Sequence, residues 1–196
     1  MGENLLVCWV RRPITDPVAV VAGCGDLFVD CTGQKSLLLG GHFGVEFESV
    51  RGILFNDAAI AVQVPHERPI DPIASVTRAT AVDAGWIWDI ALQNRRGIGY
   101  VHSTAHADEA TAMATLRSYV REQFPSTSVD DLDFRRIPFE PGYRRQFWVN
   151  NCVAVGLSGG FIEPLEASAL ALIEQGADVI MQHTDSPAAM TIAALP

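Results

Sequence analysis

The chain has 196 residues, 48% of them hydrophobic, and a formal charge of -9 from 14 basic against 23 acidic residues. That length fits one domain or a piece of one, and the apolar share supports a buried core, which excludes a disordered chain. The acidic balance argues against nucleic acid or membrane as a partner, because phosphate recognition needs clustered positive charge, and no apolar run reaches the ~18 residues that a bilayer-crossing helix requires.

In chain order, the apolar run 5–10 is too short for the core of a secretory leader, and its arginines, Arg11 and Arg12, follow it. A cytoplasmic location is expected. Cys8, Cys24, Cys31 and Cys152 show no CxxC or Cys/His spacing, so they read as free thiols and not as metal ligands. Residues 18–22 and 26–31 read as two short strands joined by Gly23-Cys24-Gly25, and the second leads into Asp30-Cys31-Thr32-Gly33, with Gly33 as a turn glycine.

Residues 58–64 form an apolar strand ending before Pro65. Strands over 75–82, 86–92 and 99–103 follow, separated by Asp83-Ala84-Gly85 and Asn94-Arg95-Arg96-Gly97, both with turn chemistry. Consecutive strands joined in this way make an antiparallel sheet. Alternate residues of a strand share a face, so Trp86, Trp88 and Ile90 point one way and Ile87 and Asp89 the other. The tryptophan side is a broad apolar wall, and the plainest reading of it is a core face.

Residues 107–124 lack Gly and Pro and carry Met113, Leu116, Tyr119 and Val120 at helical spacing before Pro125 stops the run. Short strands are expected over 134–137 and 147–149. After Pro164 a helix extends to about Gln182, with Leu165, Ala169, Leu172, Ile173, Ala177 and Ile180 on one stripe. No repeat or linker interrupts residues 1–196, which read as a single domain or a fragment of one. The arginine pairs are scattered and read as solvated faces or carboxylate partners.

The chemistry concentrates in residues 148–168, a strand, a glycine-rich bend and a helix opening on Pro164. Unpaired N–H groups at such a helix start can hold an anion without a basic side chain. Gly156-Leu157-Ser158-Gly159-Gly160 also satisfies the G-x-S-x-G of a serine hydrolase, with Asp178, His183 and Asp185 downstream. The helix begins several residues too late for a nucleophile elbow, which makes a hydrolase the minor alternative.

Two of these segments carry a resemblance. Gly85-Trp86-Ile87-Trp88-Asp89-Ile90 resembles the WxWxIP segment of the flavin-dependent tryptophan halogenases, with Ala91 in place of the proline. The run from Asn150-Asn151-Cys152-Val153 to Gly160-Phe161-Ile162-Glu163-Pro164-Leu165-Glu166 is similar to that family's NC(V/I)xxG strand and its G-F-x-E-P-L-E-S-T-G turn. The resemblance covers roughly residues 26–174. It implies an α+β fold, a largely antiparallel sheet with two main helices, as a portion of a flavin monooxygenase-like fold.

It also implies FAD, delivered as FADH2 by a separate flavin reductase, a halide ion, and tryptophan or another indole-like arene as substrate, with a homodimer as a candidate assembly. Glu166 then acts at the substrate ring, the backbone amides of Ser168 and Ala169 face chloride, and Leu157 and Leu170 border the flavin. Gly33 lies near the cofactor, as in flavoproteins whose strand ends D-C/A-T/S-G. Trp86, Trp88 and Ile90 wall the flavin off from the substrate.

Ala167 replaces the family's serine, and Ser168-Ala169 its Thr-Gly. No GxGxxG is present, and Lys35, the sole lysine, does not stand in the family's N-terminal lysine context. The expectation is a fragment or reduced homologue that does not turn over alone. A non-catalytic, colourless flavoprotein module is the rival reading.

Overall fold

The computed structural model describes residues 7–8, 27–66 and 73–183, with Val7, Cys8 and Glu166 described through their backbone alone. In chain order the elements are β1 (Val7–Cys8), β2 (Phe28–Asp30), β3 (Phe47–Ser49), β4 (Ala58–Pro65), β5 (Arg78–Val82), β6 (Gly85–Ala91), β7 (Arg95–His102) and α1 (Glu109–Gln123). They continue with β8 (Phe134–Pro138), β9 (Gly142–Arg144), β10 (Trp148–Val149), β11 (Cys152–Ala154), β12 (Gly160–Phe161) and α2 (Ser168–His183). The expected α+β fold with a largely antiparallel sheet content and two main helices is what forms. The strand expected over 18–22 lies outside the described residues.

The chain divides into two compact units, Met1–Val50 with Pro141–Pro196, and Arg51–Glu140. In the Arg51–Glu140 unit five antiparallel strands run in the order β5-β6-β7-β4-β8. Helix α1 covers one face of this sheet. Ala112, Leu116 and Val120, one helical turn apart, meet Ile60, Val62, Val64, Ile87, Ile98 and Tyr100 from the strands. Asp108 caps the helix, its carboxylate accepting from Thr111 N at 2.8 Å.

Alternation along β6 follows the expected period of two, but the core takes the other face. Ile87 and Asp89 are buried beneath α1, whereas Trp86 and Trp88 stay half-buried on the opposite side and Ile90 is exposed. The turn into β7 is tighter than expected, closed by Leu92 N donating to Arg95 O at 2.8 Å. Arg95 to Gly97, expected in the turn, therefore belong to the strand. Arg96 is drawn into it by Asp89, which it grips through Nε and one terminal nitrogen, each at 2.7 Å.

At the mouth of β4, Asp57 accepts from Thr104 N at 2.8 Å and Thr104 Oγ1 at 2.6 Å, with Arg51 at 3.4 Å. Burial pushes its carboxyl up, but the two Thr104 bonds and Arg51 outweigh it and hold the acid below its ordinary range. Nearby His102 is 2% exposed and its Nδ1 makes no hydrogen bond. Burial lowers its pKa from the ordinary value of 6.5.

Both shifts have the same sign for stability. The unfolded chain binds more protons than the folded one below the ordinary value of each group, so acidification costs stability. His102 acts first, as pH falls below 6.5, with a slope of at most about 1.4 kcal/mol per pH unit for each proton. Asp57 adds its share below pH 4. Urea unfolding between pH 7.5 and 5 is expected to show this loss, and a His102→Phe variant is expected to flatten it. An unchanged slope in the variant would assign the effect elsewhere.

In the other unit β2 and β11 pair in parallel, flanked by β1 and β10 in the order β1-β2-β11-β10, while β12, β9 and β3 make a separate antiparallel sheet. Phe28, Cys152 and Ala154 face Leu38 and Leu39 of a π-type turn over Leu37–His42. Val29, Val153 and Val155 face Ile180 of α2. The two-strand core is thus covered on both sides, which is why β2 and β11 are buried at every position.

Candidate active site

Asp30, at the end of β2, organises the loops around it. Its fully buried carboxylate accepts from Thr32 N at 3.1 Å, Thr32 Oγ1 at 2.6 Å, Leu38 N at 3.0 Å and Leu39 N at 2.8 Å. A buried carboxylate needs such donors, since an unpaired one would cost several kcal/mol, on the order of 3–5. The bonds fold residues 32–39 back over the strand end. Gly33 sits in this turn at φ +69°, a left-handed conformation that favours glycine, and the space where a Cβ would stand is open. Its turn, Gly33–Lys35, packs on the Gly156–Ser158 turn.

Ser158 is no hydrolase nucleophile. Its side chain is 1% exposed and its hydroxyl lies on the carbonyl oxygens of Asp30 and Val155, tying the turn after β11 to the end of β2. It stands in a 3-10 turn followed by β12, and α2 starts only at Ser168. Asp178 and His183 are on α2, and Asp185 lies outside the described residues. The strand–turn–helix elbow that G-x-S-x-G chemistry needs does not form.

The acidic turn itself is a 3-10 segment, Leu165–Ala167, that runs directly into α2. Glu166 occupies its middle. Ala167 has φ +52°, where a Cβ crowds the backbone at a cost of about 1–2 kcal/mol. Ser168 fastens the turn from below, its hydroxyl donating to Glu163 O at 2.7 Å. The Ser168 backbone N–H donates to Leu165 O. Strain at one residue and closure at the next fix where the chain enters the helix.

Beside this turn, within the same unit, a cavity of about 530 Å³ opens between α2 and the strands β9 to β12. Leu157, Ser168 and Ala169 line it together with Trp148, Phe161 and Leu172. Three of the expected site residues thus line one cavity. Leu170 stands exposed on α2 outside the lining. The lining is almost wholly apolar, so it can hold a flat aromatic ring face, and an anion there would have backbone N–H groups as its donors. No GxGxxG run exists in the chain to hold the pyrophosphate of a dinucleotide.

Cys152 lies under the π-type turn, buried, and burial followed by the Asp30 charge pushes its thiol up to about 12. From an ordinary value of 9.0, the thiolate at pH 8 falls by about a thousand-fold. Native-state alkylation by iodoacetamide is expected to leave Cys152 unmodified while half-buried Cys31 reacts. Modification of Cys152 at a rate matching Cys31, read by peptide mass, would contradict this placement.

The wall residues belong to the other unit. Trp86 and Trp88 lie on the sheet face away from α1, ring centroids 6.2 Å apart with planes at 61°. Ala81, Ala79, Gly99, Ala61 and Ala59 flank them in register on β5, β7 and β4. Val101, buried, pairs with Trp86, so small neighbours surround Trp88 more than Trp86.

Two parts of these arrangements have no counterpart in the sequence reading. Asp30 was visible only as part of a strand-ending motif, although its Asp-x-Thr spacing is that of a side chain bonding the backbone two residues on. Asp89, a charge inside an apolar strand, signals a buried partner, and Arg96 seven residues on is that partner.

The family model for tryptophan halogenases matches residues 20–191. A tryptophan 6-halogenase of Streptomyces toxytricini is 39% identical over 175 residues, covering 89% of this chain and 32% of the relative. A tryptophan 7-halogenase of Lentzea aerocolonigenes is 35% identical over 158 residues, covering 81% and 29%. The crystal structure of a tryptophan halogenase from Shewanella frigidimarina superimposes with a TM-score of 0.76 at 51% identity over 81% of this chain and 30% of that one. A flavin-dependent halogenase from Brevundimonas gives 0.71 at 46% identity, over 80% and 30%. The chain spans about a third of the length of the curated relatives it matches. With the two halogenase-like motifs on the strand and turn described above, the chain belongs to the tryptophan halogenase family.

Proposed function

We propose that this chain supplies the general-base carboxylate, the halide-facing helix start and the tryptophan wall of a cytoplasmic flavin-dependent halogenase acting on tryptophan or another electron-rich indole. The observation that carries the reading is the Glu163-Pro164-Leu165-Glu166 turn, which opens α2 alongside an apolar cavity lined by Leu157, Ser168 and Ala169. When bound, reduced flavin from a separate reductase would give two electrons to oxygen, so that one oxygen atom oxidises the halide to hypohalous acid and the other leaves as water. Leu157 and the α2 face offer a surface for the ring of that flavin. The Ala169 amide is the donor offered to the anion; the Ser168 N–H is already bonded to Leu165 O and turns to an anion only when that bond opens.

Glu166 takes the proton that the arene must lose once halogen has added, and its charge stabilises the cationic ring before that loss. Trp86, Trp88 and Ile90, on their own sheet in the Arg51–Glu140 unit, are the apolar wall of this reading. The lysine and the dinucleotide loop that complete such a site are not among these residues, so the chain by itself is expected to give no halogenated product.

The test places this chain in the matching third of the Streptomyces toxytricini enzyme, whose remaining parts supply what is missing. With reductase, FAD and chloride or bromide, the chimera is expected to copurify yellow and to give tryptophan or indole carrying one halogen by mass spectrometry. A folded, flavin-bound chimera that halogenates neither would overturn the reading. A folded but colourless one would favour the non-catalytic module.

A further inference from the structure

Gly99 lies opposite Trp88 in the β6–β7 pairing. A Cβ built on Gly99 falls among Trp88 Cζ2, Cη2 and Cε2, so the six-membered part of the indole rests directly on the glycine backbone. No residue with a side chain leaves room for that pose, and a strand glycine whose surface is covered in this way marks a close approach. Gly97, two residues along and on the same face, meets nothing within 4 Å. The two glycines of Gly97-Ile98-Gly99 thus differ: one is a seat and the other is open.

We propose that Gly99 is the positioning residue of the tryptophan wall, holding the Trp88 indole down against β7 and so fixing the orientation in which the wall presents it. Its catalytic consequence rests on the halogenase reading; the geometry does not. A methyl at position 99 lifts the indole and swings it toward Ala61 or out of the sheet. Trp86, paired with Val101, has no such seat. The relative orientation of the two indoles therefore depends on the glycine under one of them.

Two indoles 6.2 Å apart couple their electronic transitions and give a paired positive and negative band in the far-ultraviolet circular dichroism. In the 196-residue chain, Gly99→Ala is expected to lose or invert that couplet while the protein melts cooperatively, Gly97→Ala to keep it, and Trp86→Phe to define its absence. A folded Gly99→Ala chain with the wild-type couplet overturns the proposal. If Gly99→Ala fails to fold, the Gly99 Hα resonance of the wild-type chain decides instead. A ring-current upfield shift that Trp88→Leu removes supports the seat, and an ordinary shift overturns it.

In the chimera, Gly99→Ala is expected to lower halogenated tryptophan by roughly ten- to a hundred-fold, as misplacement of a reacting group does, while free hypohalous acid rises. Gly97→Ala should leave both unchanged. An altered couplet with unaltered coupling of oxidant to product would overturn the positioning role. If the parent chimera, with Gly99 unchanged, is itself inactive, that counts against the halogenase reading and leaves the couplet result standing.

Discussion

Asp89→Ala is expected to destabilise the chain by about 3–5 kcal/mol, the cost of breaking a buried ion pair from one side. Asp89 has no exposed side-chain surface, and three donors converge on it: Arg96 Nε and a terminal nitrogen at 2.7 Å each, and Tyr119 Oη at 3.1 Å. These link β6, β7 and α1 at one point. Removing the carboxylate leaves the Arg96 guanidinium, stacked 5.4 Å from the Phe124 ring, without its counter-charge. Burial and then the Asp89 charge raise the Tyr119 phenol, which therefore stays a neutral donor throughout the working pH range.

Asp89→Asn keeps the shape and one acceptor, so its loss should fall between wild type and Asp89→Ala. Asp89→Leu with Arg96→Met should recover much of the stability, because the penalty lies in the stranded charge and not in the absence of the pair. Urea unfolding followed by far-ultraviolet circular dichroism gives all four values. A loss under ~1 kcal/mol for Asp89→Ala, in the range of exposed pairs, would show that water reaches the site.

The same residue explains where the sequence was legible and where it was not. Period-two alternation located β6 and sorted its side chains correctly into Trp86, Trp88, Ile90 and Ile87, Asp89. Hydrophobicity alone then pointed the tryptophans inward, since a carboxylate on a core face looks wrong until its partners are known. Arg96 and Tyr119 reach it from a hairpin and from a helix, and neither is deducible from a local pattern. Arg96 also sits where turn chemistry was expected, because Asn94, Arg95 and Gly97 all suit a turn. The end of α1 was readable because Pro125 punctuates it, whereas its start, read at 107, is set by the Asp108 cap and falls at Glu109.

The division into two units left no local mark. The crossings at Val50-Arg51 and Glu140-Pro141 carry no linker composition, and Arg51 and Glu140 pair at 2.7 Å within their own unit. Of the site, the motif residues were legible as a sequence run, and the structure adds what a run cannot state. Ser158 looked available to react and is instead a buried bridge between two strand ends. Ala167, noted in the sequence only as standing where the family has serine, carries a positive φ.

In the chimera, Glu166→Gln is expected to cut the halogenation rate by roughly 10²–10⁴, the range typical of a removed general base. Glutamine keeps the length and polarity of the side chain, and a residue in the middle of a 3-10 turn tolerates it, so folding and yellow colour should be retained. What fails is the last step, in which the halogenated ring must lose a proton to become aromatic again. Oxidant formation comes earlier and needs no carboxylate at position 166. Consumption of reduced flavin should therefore continue at the wild-type rate, and the hypohalous acid that no longer finds a productive ring should escape to an electron-rich scavenger in solution.

Glu166→Asp, one methylene shorter, should recover part of the rate, since it restores the base but not its reach. These readouts separate a base at the ring from the other role open to a glutamate just ahead of a helix start, stabilising the positive end of the dipole. A dipole contribution amounts to about 0.3–1 kcal/mol. It would lower the melting temperature of Glu166→Gln and leave the ratio of halogenated product to scavenged oxidant unchanged. A variant with that pattern would move Glu166 out of the chemistry and leave the cavity beside α2 without its base.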